Sequence, residues 1–377
     1  MNPLQWNVDW GMVLFIVFAL VVVVQLFYHW WFFRRLAFYK AAERTRSQTH
    51  PVSVIVCARD EAGNLVKNLP GILVQTYPTT HEVIVVNDNS VDESKYVIEE
   101  LQKSFKKLQH VHLTHEAKGI PGKKYPLSIG IKESKHEIVL LTDADCVPAS
   151  EFWIQKMQEA YEDGIEVVIG YGAYHKKPGL LNKLIRFETF QSALQFLSFA
   201  LVGIPYMGVG RNLSYKKGLF FKVKGFSSLN HIPSGDDDLF INKVANKKNT
   251  AIVIDPDAIV LSEPKKRFGD WFRQKARHYS TARFYKPMHK FLLGLFTVSQ
   301  FLFYPAFVAA LIFFDWRFVL GLFLIRMISY FSVYATALKK LNERDLAGWL
   351  FLLDIWQFFY YIIFAPALWK KPRPTWN

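Results

Sequence analysis

The sequence predicts an α/β fold, a mostly parallel sheet with helices on both faces, flanked by α-helical transmembrane segments. Three observations predict it. Strand-like and helix-like patterns alternate from residue 51 to residue 146, the βαβα order that builds a parallel sheet. The apolar runs within that stretch stop abruptly at acids. Aromatic residues make up 16% of the chain, with 33 phenylalanines, and they gather at its two ends. That distribution points to membrane segments rather than an enlarged soluble core. A length of 377 residues suits about two or three structural units, and the sequence divides at 1–48, 49–288 and 289–377.

Residues 11–33 contain no charged side chain. As a helix they would extend roughly 34 Å, enough to cross a bilayer. A cleaved signal peptide fits poorly, because the leader carries Asp9 and no basic residue and the apolar stretch is too long. Tyr28, Trp30 and Trp31 read as an interfacial aromatic belt, followed by the cations Arg34, Arg35, Lys40, Arg44 and Arg46. The positive-inside bias puts Arg34 and the α/β region after it in the cytoplasm. A multi-pass protein of the plasma (inner) membrane, with its α/β domain cytoplasmic, is therefore expected.

Val52–Ala58 reads as a buried strand and 62–75 as a helix. His81–Asp88 is a second strand ending in an acid, and 92–107 a helix with many charges on one side. Val111–Thr114 is a short strand, Pro126–Ser134 a helix and 137–142 the next strand. The segment 181–204 is apolar enough to suggest another span, but Arg186, Glu188, Gln191 and Gln195 interrupt it. An ionised pair at a bilayer centre is costly, so an amphipathic or core helix is expected. Three apolar spans come next, near 291–314, 317–338 and 347–369, the first two joined by the short turn Asp315-Trp316-Arg317. Three spans after a cytoplasmic domain leave the C-terminus outside, whereas Lys370, Lys371 and Arg373 prefer the inside. A re-entrant or interfacial segment would resolve this conflict, which the sequence leaves open.

The formal net charge is +14. A nucleic-acid partner is one reading of such a charge, but the basic residues cluster beside the apolar spans, as Lys339, Lys340 and Arg344 also do. Cations so placed hold a protein against an anionic leaflet, so the membrane, and no nucleic acid, is the expected partner. The two cysteines, Cys57 and Cys146, exclude a disulfide framework and alone make no zinc site. Both read as small core residues in a reducing compartment.

The chemistry centres on Glu137–Cys146, an apolar strand that ends at Asp143-Ala144-Asp145. Burying two carboxylates there is costly unless a cation offsets it. Mg²⁺ and Mn²⁺ are hard, oxygen-seeking ions, bound by one or two carboxylates plus substrate phosphates. An open α/β sheet also places its ligand crevice at the carboxyl ends of its strands. The run therefore reads as a metal–phosphate site, the alternative being an Asp-rich turn. Other acids line up with it: Asp60-Glu61 after the first strand, Asp88 and Asp92 after the second, and Asp236-Asp237-Asp238 later. The basic stretch Arg273–His278 lies downstream. Simpler readings stay open for each. Asp88 and Asp92 could cap the next helix, Asp236–Asp238 could be a solvated loop, and Arg273–His278 a membrane-surface helix with Trp271 and Phe272 dipping inward.

From about residue 50 to residue 280, this pattern resembles the family 2 glycosyltransferases of the GT-A fold, whose sheet is Rossmann-like and mostly parallel. The resemblance implies roles for individual residues. Ala58, Asp60 and Glu61 fall on the nucleotide side, with Asp60 where Asn is usual, and Asp88 matches the acid that contacts uracil or ribose. Gly122-Lys123, with Leu127 and Gly130, resembles a Lys-x-x-x-Leu-x-x-Gly element lining the nucleotide site. Asp143 and Asp145 match the Asp-x-Asp motif, whose second acid ligates Mg²⁺ or Mn²⁺. Gly208–Asn212 resembles a Gly-rich loop near the donor sugar and acceptor, with Asn212 as its binding residue. Asp236 matches the catalytic base, but Gly235 replaces its usual acidic neighbour, which leaves Asp236 and Asp237 as alternatives. Gln274-x-x-Arg277 matches the Gln-x-x-Arg-Trp motif, with His278 where Trp is expected.

These residues describe an inverting transfer. A metal on Asp145 would offset the charge of a leaving diphosphate, Arg277 would add a second cation, and Asp236 would take the acceptor's proton. A single base opposite the leaving group implies inversion without a covalent intermediate, by analogy with inverting glycosidases. The expected substrates are a nucleotide sugar, foremost a UDP-hexose, and a lipid or lipid-linked acceptor. A processive polysaccharide synthase is the enzymatic alternative, since Gln-x-x-Arg is associated with that group. A non-catalytic membrane scaffold is the alternative of another class.

Overall fold

The computed structural model describes residues 9–41, 50–115, 119–162 and 164–368. Arg44, Arg46, Lys370, Lys371 and Arg373 lie outside them. In chain order the first apolar segment forms α1 (Trp10–Phe27), a π-helical turn (Tyr28–Phe33) and α2 (Arg34–Ala37). Then come β1 (Val52–Ala58), α3 (Ala62–Leu73), β2 (His81–Asp88), α4 (Ser94–Ser104), β3 (Leu108–Leu113), α5 (Lys124–Glu133) and β4 (Ile138–Asp143). They are succeeded by β5 (Cys146–Pro148), α6 (Trp153–Gln158), β6 (Val167–Ile169), β7 (Gly172–Tyr174), α7 (Leu180–Leu201), β8 (Leu213–Lys216) and α8 (Lys217–Lys222). Next are α9 (Asp238–Val244), β9 (Thr250–Ile252), β10 (Val260–Ser262) and α10 (Phe268–Tyr279), then α11 (Pro287–Phe313), α12 (Trp316–Lys340) and α13 (Leu350–Phe364). The chain packs as two compact units, one of Lys40–Tyr285 and one that joins the segment ending at Tyr39 to Lys286–Pro366. The two apolar ends of the sequence thus share a single unit.

The α/β unit is built on a seven-stranded sheet of order β3-β2-β1-β4-β8-β6-β9. β3, β2, β1 and β4 run parallel, and β8 runs antiparallel to both β4 and β6. Every residue of β1 and β2 is buried, as expected of strands covered on both faces. The register aligns the strand ends, pairing Cys57 with Asp143 and Ala58 with Asn87. Asp88, one residue past Asn87, therefore opens onto the same end of the sheet. β3 begins at Leu108 rather than Val111, because Leu108 is buried and pairs with Val83. Its remaining residues are those of a partly exposed edge strand, which blurs the apolar pattern. A second sheet, β5-β10-β7, is made of three-residue strands.

α7 is a core helix. Its buried side chains include Arg186, Glu188, Phe187, Phe190 and Leu194, which point in different directions around the axis. Of the two readings open for this segment, an amphipathic or a core helix, the core helix is the one formed. Glu188 is ion-paired with Lys275 of α10, which fastens α10 to the unit. Trp271 of α10 is fully buried, so it serves this core and does not dip into a bilayer.

In the other unit α1 packs chiefly along α11, with Phe18, Val22, Phe303, Ala310 and Val319 forming a buried cluster. Four helices are long and apolar enough to cross a membrane: Trp10–Ala37, Pro287–Phe313, Trp316–Lys340 and Arg344–Ala367. Leu20, Ile312 and Ile328 are among the apolar side chains left exposed on their outer faces. Tyr28 departs from the expected aromatic belt. It is buried, and its hydroxyl donates to the Leu292 carbonyl at 2.5 Å. Trp30 and Trp31 remain exposed.

Candidate active site

The acidic strand ends meet where the main sheet and the small sheet join. β4 delivers Asp143, and the turn after it delivers Asp145 immediately before β5. The carboxylates of Asp143 and Asp145 and the Cys146 sulfur all lie within 4.8 Å of one another. Cys146 Sγ donates to Asp145 Oδ1 at 3.2 Å, and Ser262 Oγ of β10 donates to Asp145 Oδ2 at 3.2 Å. These contacts fix the Asp145 carboxylate beside Asp143. Two converging carboxylates offer hard oxygen donors and suit Mg²⁺ or Mn²⁺.

Cations surround this pair. Lys123 is ion-paired with Asp143. Burial alone would push the Asp143 carboxyl up, but Lys123, supported by Arg211 and Arg277, holds it below the ordinary carboxylate range. Arg277 of α10 is thus within electrostatic reach of Asp143. Gln274, one turn earlier, donates from Nε2 to the Tyr174 hydroxyl at 3.4 Å. Glu61 also faces the site. Its carboxyl is pushed up first by burial and then by the charges of Asp145 and Asp143, against an opposing hydrogen bond from Asn64. Cys57 shares the rung of Asp143, and burial pushes its thiol up to about 12. It is a neutral core thiol, as expected.

On the nucleotide side Asp88 is buried, with Arg59 Nη1 at 3.8 Å. Ala58 is wholly buried in the apolar core, which leaves only its backbone to meet a ligand. Asp60 is placed differently from the expected contact residue. It is exposed, has a left-handed φ of 55°, and accepts from Val91 N–H through Oδ1 at 2.8 Å, while its own N–H donates to Ser90 Oγ. It latches the loop after β1 to the loop after β2. Asp92 joins two helix starts, accepting from Ser94 N–H and from Ala62 N–H, both at 2.9 Å. The capping reading of Asp92 is the one the geometry matches.

Asn212 is a correction. It is completely buried, its Nδ2 donates to the Tyr171 and Ala258 carbonyls, and its Oδ1 accepts from Trp153 Nε1. Both amide hydrogens are used internally, leaving none for a ligand. Its role is to tie the loop before β8 to both sheets. The residue beside it, Arg211, is the one within electrostatic reach of Asp143 and Asp145, although the loop pattern of Gly208–Asn212 points to Asn212 instead.

The three later aspartates separate by environment. Asp238 is buried and accepts from Thr281 Oγ1, Tyr285 OH and Leu239 N–H, so it is a structural anchor. Asp237 accepts from Asp238 N–H at 2.7 Å and Gly210 N–H at 2.8 Å, one through each oxygen. Burial, and then the charges of Asp236 and Asp238, raise Asp237 from 3.8 to about 8. With both oxygens occupied and a proton held near neutral pH, Asp237 is a poor base. Asp236 is partly buried and within electrostatic reach of Lys123 and Lys124. Lys124, which has no motif of its own, is buried and donates to the Ile232 carbonyl. Gly122, at φ 78°, has no room for a side chain, since a Cβ would sit 2.4 Å from the Pro233 oxygen. The Gly122–Lys124 turn thus seats the loop that carries Asp236 while presenting Lys123 to Asp143.

Asp237 makes stability depend on pH. The folded chain holds a proton there that the unfolded chain releases from about pH 4 upward. The stability this carboxyl contributes is fully present below about pH 4 and is lost as the pH rises through about 8. Asp237→Asn is expected to flatten the fall in thermal midpoint between about pH 5 and about pH 9. An identical slope in wild type and variant would show that Asp237 is ionised throughout that range.

Residues 53–221 match the family model described as Glycosyl transferase family 2. The probable glycosyltransferase YdaM of Bacillus subtilis is 27% identical over 282 residues, 70% of this chain and 63% of YdaM. A beta-monoglucosyldiacylglycerol synthase of Nostoc sp. is 31% identical over 101 residues, 26% of this chain and 21% of the synthase. This chain therefore spans less than two thirds of the length of either relative. Among solved structures, the mannosyltransferase PcManGT of Pyrobaculum calidifontis, in complex with GDP-Man and Mn²⁺, shares the fold. Its TM-score is 0.57 at 18% identity, over 92% of this chain and 99% of PcManGT. The α/β unit, with its parallel strands ending in acids, thus carries the stretch that matches glycosyl transferase family 2 and shares its fold with a solved glycosyltransferase.

Proposed function

We propose that this protein is a membrane-bound, inverting glycosyltransferase. In this reading it moves a hexose from a nucleotide sugar, with UDP as the expected nucleotide, to a lipid or lipid-linked acceptor at the cytoplasmic face. The observation that carries the reading is the grouping of Asp143 and Asp145 with Lys123, Arg277 and the Asp236 loop. Asp143 and Asp145 would hold a Mg²⁺ or Mn²⁺ ion, whose charge would offset that of the leaving diphosphate. Lys123 and Arg277 add fixed positive charge on the same side. Asp236 accepts the proton of the acceptor hydroxyl as its oxygen bonds to C1. The bond from C1 to the phosphate oxygen breaks, and its electron pair leaves with the nucleoside diphosphate. Attack opposite the leaving group inverts C1.

The Nostoc relative, whose name denotes a glycolipid synthase, supports a lipid acceptor. Four candidate spans support a membrane setting, and Arg34 and Arg35 at the end of the first support a cytoplasmic catalytic unit. The Gln274-x-x-Arg277 pair keeps a processive synthase as the second reading. Membranes carrying the full chain are to be fed radiolabelled UDP- and GDP-hexoses with Mn²⁺ or Mg²⁺. Label should enter one organic-soluble product bearing a single added sugar. A long polymer would favour the synthase, and metal-dependent nucleotide binding without any transfer would favour the non-catalytic scaffold.

A further inference from the structure

We propose that Arg211 is a diphosphate-binding residue of this site, acting beside Lys123. The proposal rests on the glycosyltransferase reading and deepens it. Arg211 sits in the 3-10 turn Gly210–Asn212 that leads into β8. Among the described residues its guanidinium is held by two contacts. Nη2 donates to the Gly172 carbonyl at 3.1 Å, and Cζ lies 4.6 Å above the centre of the Tyr174 ring. Nη1 is buried and has no hydrogen-bond partner, and no carboxylate lies within ion-pair distance of Arg211 among the described residues.

A buried guanidinium nitrogen with an unfilled N–H is costly to keep. The surroundings nevertheless hold it in place. Gly172 leaves a channel along β7 for the side chain, since a Cβ there would come within 3.3 Å of Arg211 Cβ and Nε. Asn212, next in sequence, is anchored by its three buried hydrogen bonds, and Gly210 N–H is bound to Asp237. The turn thus runs between the loop of Asp236 and the strand-end acids, and Arg211 is within electrostatic reach of both Asp145 and Asp143.

Charge decides what the free N–H is for. A divalent cation would neutralise Asp143 and Asp145, leaving the positive charge of Lys123, Arg211 and Arg277, which Asp236 offsets only in part. The remainder suits a doubly charged anion, and the diphosphate of a nucleotide sugar carries two negative charges at the metal. A planar guanidinium stacked on an aromatic ring suits phosphate oxygens in a way a lysine ammonium does not.

The test uses the full chain in detergent with Mn²⁺, comparing wild type with Arg211→Gln. Binding of UDP, GDP, inorganic pyrophosphate and uridine is measured by calorimetry, and thermal midpoints are taken with and without ligand. Arg211→Gln is expected to weaken the bound nucleoside diphosphate and pyrophosphate at least about tenfold, leave any uridine binding unchanged, and match or exceed the ligand-free thermal midpoint of wild type. A merely structural arginine would do the reverse, lowering the ligand-free midpoint while keeping the ligand-induced rise. That result, or equal nucleotide affinity in wild type and variant, overturns the proposal. Arg211→Lys, which keeps the charge but loses the planar fork, is expected to show an intermediate loss, and wild-type affinity in it also overturns the proposal. Wild type that binds neither nucleotide nor pyrophosphate would instead sink the glycosyltransferase reading itself, and this one with it.

Discussion

Asp236→Asn is expected to lower sugar transfer by about a hundred- to ten-thousand-fold, the usual contribution of a positioned general base, while nucleotide binding stays near wild type. Of the three adjacent aspartates, Asp236 alone combines partial exposure with freedom from backbone capping. Asp238 spends its carboxylate on Thr281, Tyr285 and Leu239, and Asp237 spends its own on Gly210 and Asp238. The three variants should therefore separate. Asp237→Asn should keep most of the transfer rate, because its amide oxygen retains one of the two backbone hydrogen bonds and the residue takes no proton from the acceptor. Asp238→Asn should act mainly through stability, since a buried anchor loses part of its hydrogen bonding. Rates are to be taken with saturating donor, so that the loss registers in kcat and not in donor affinity. Undiminished transfer by Asp236→Asn, or a larger loss in Asp237→Asn, would reassign the base.

The strand-end acids are legible in the sequence because their position is set by short-range pattern. An apolar run of strand length that stops at an acid places that acid at a sheet edge, and parallel pairing gathers such edges together. The register of Cys57 with Asp143 and Ala58 with Asn87 is what that logic requires. The partners that tune the acids are not legible. Ser262, which holds Asp145, and Tyr174, which carries Arg211, come from three-residue strands whose pairing is long-range. Such strands are too short to show a period. Asn212 misleads for a related reason. A polar residue in a Gly-rich loop has the composition of a ligand contact, and only the packing of Trp153, Tyr171 and Ala258 around it reveals a buried strut. Lys124 is hidden beside Lys123 because adjacent residues at a helix start point in different directions, one toward β4 and the other toward the Ile232 carbonyl.

Asp354→Ala is expected to destabilise the helical unit by about 3–5 kcal/mol, the cost typical of breaking a buried ion pair from one side. Within the apolar spans, Arg326 of α12 and Asp354 of α13 are fully buried and meet in a bidentate pair, at 2.5 Å from Nη1 and 2.7 Å from Nη2. Gln25 of α1 accepts from Arg326 Nε at 2.6 Å, and Gln300 of α11 accepts from Nη2 at 3.2 Å. Tyr304 of α11 donates to Asp354 at 2.7 Å. The guanidinium also lies 4.3 Å from the Phe303 ring centre and 4.8 Å from that of Tyr330. One cation therefore touches a side chain from each of the four candidate spans, and water is absent from a bilayer core to replace any partner that is lost. The sequence shows Arg326 and Asp354 as isolated charges in separate apolar runs, and only helix packing joins them. The discriminating measurement is the thermal midpoint of the full chain in detergent for Asp354→Ala and for the double variant Arg326→Met with Asp354→Leu. Removing both charges should recover most of the lost stability, because an apolar replacement of a buried pair is often neutral or stabilising. A single variant as stable as wild type would show that the pair is not desolvated. A double variant as poor as the single one would assign the stabilisation to the Gln25, Gln300 and Tyr304 contacts, which need the charges as partners, and not to the pair alone.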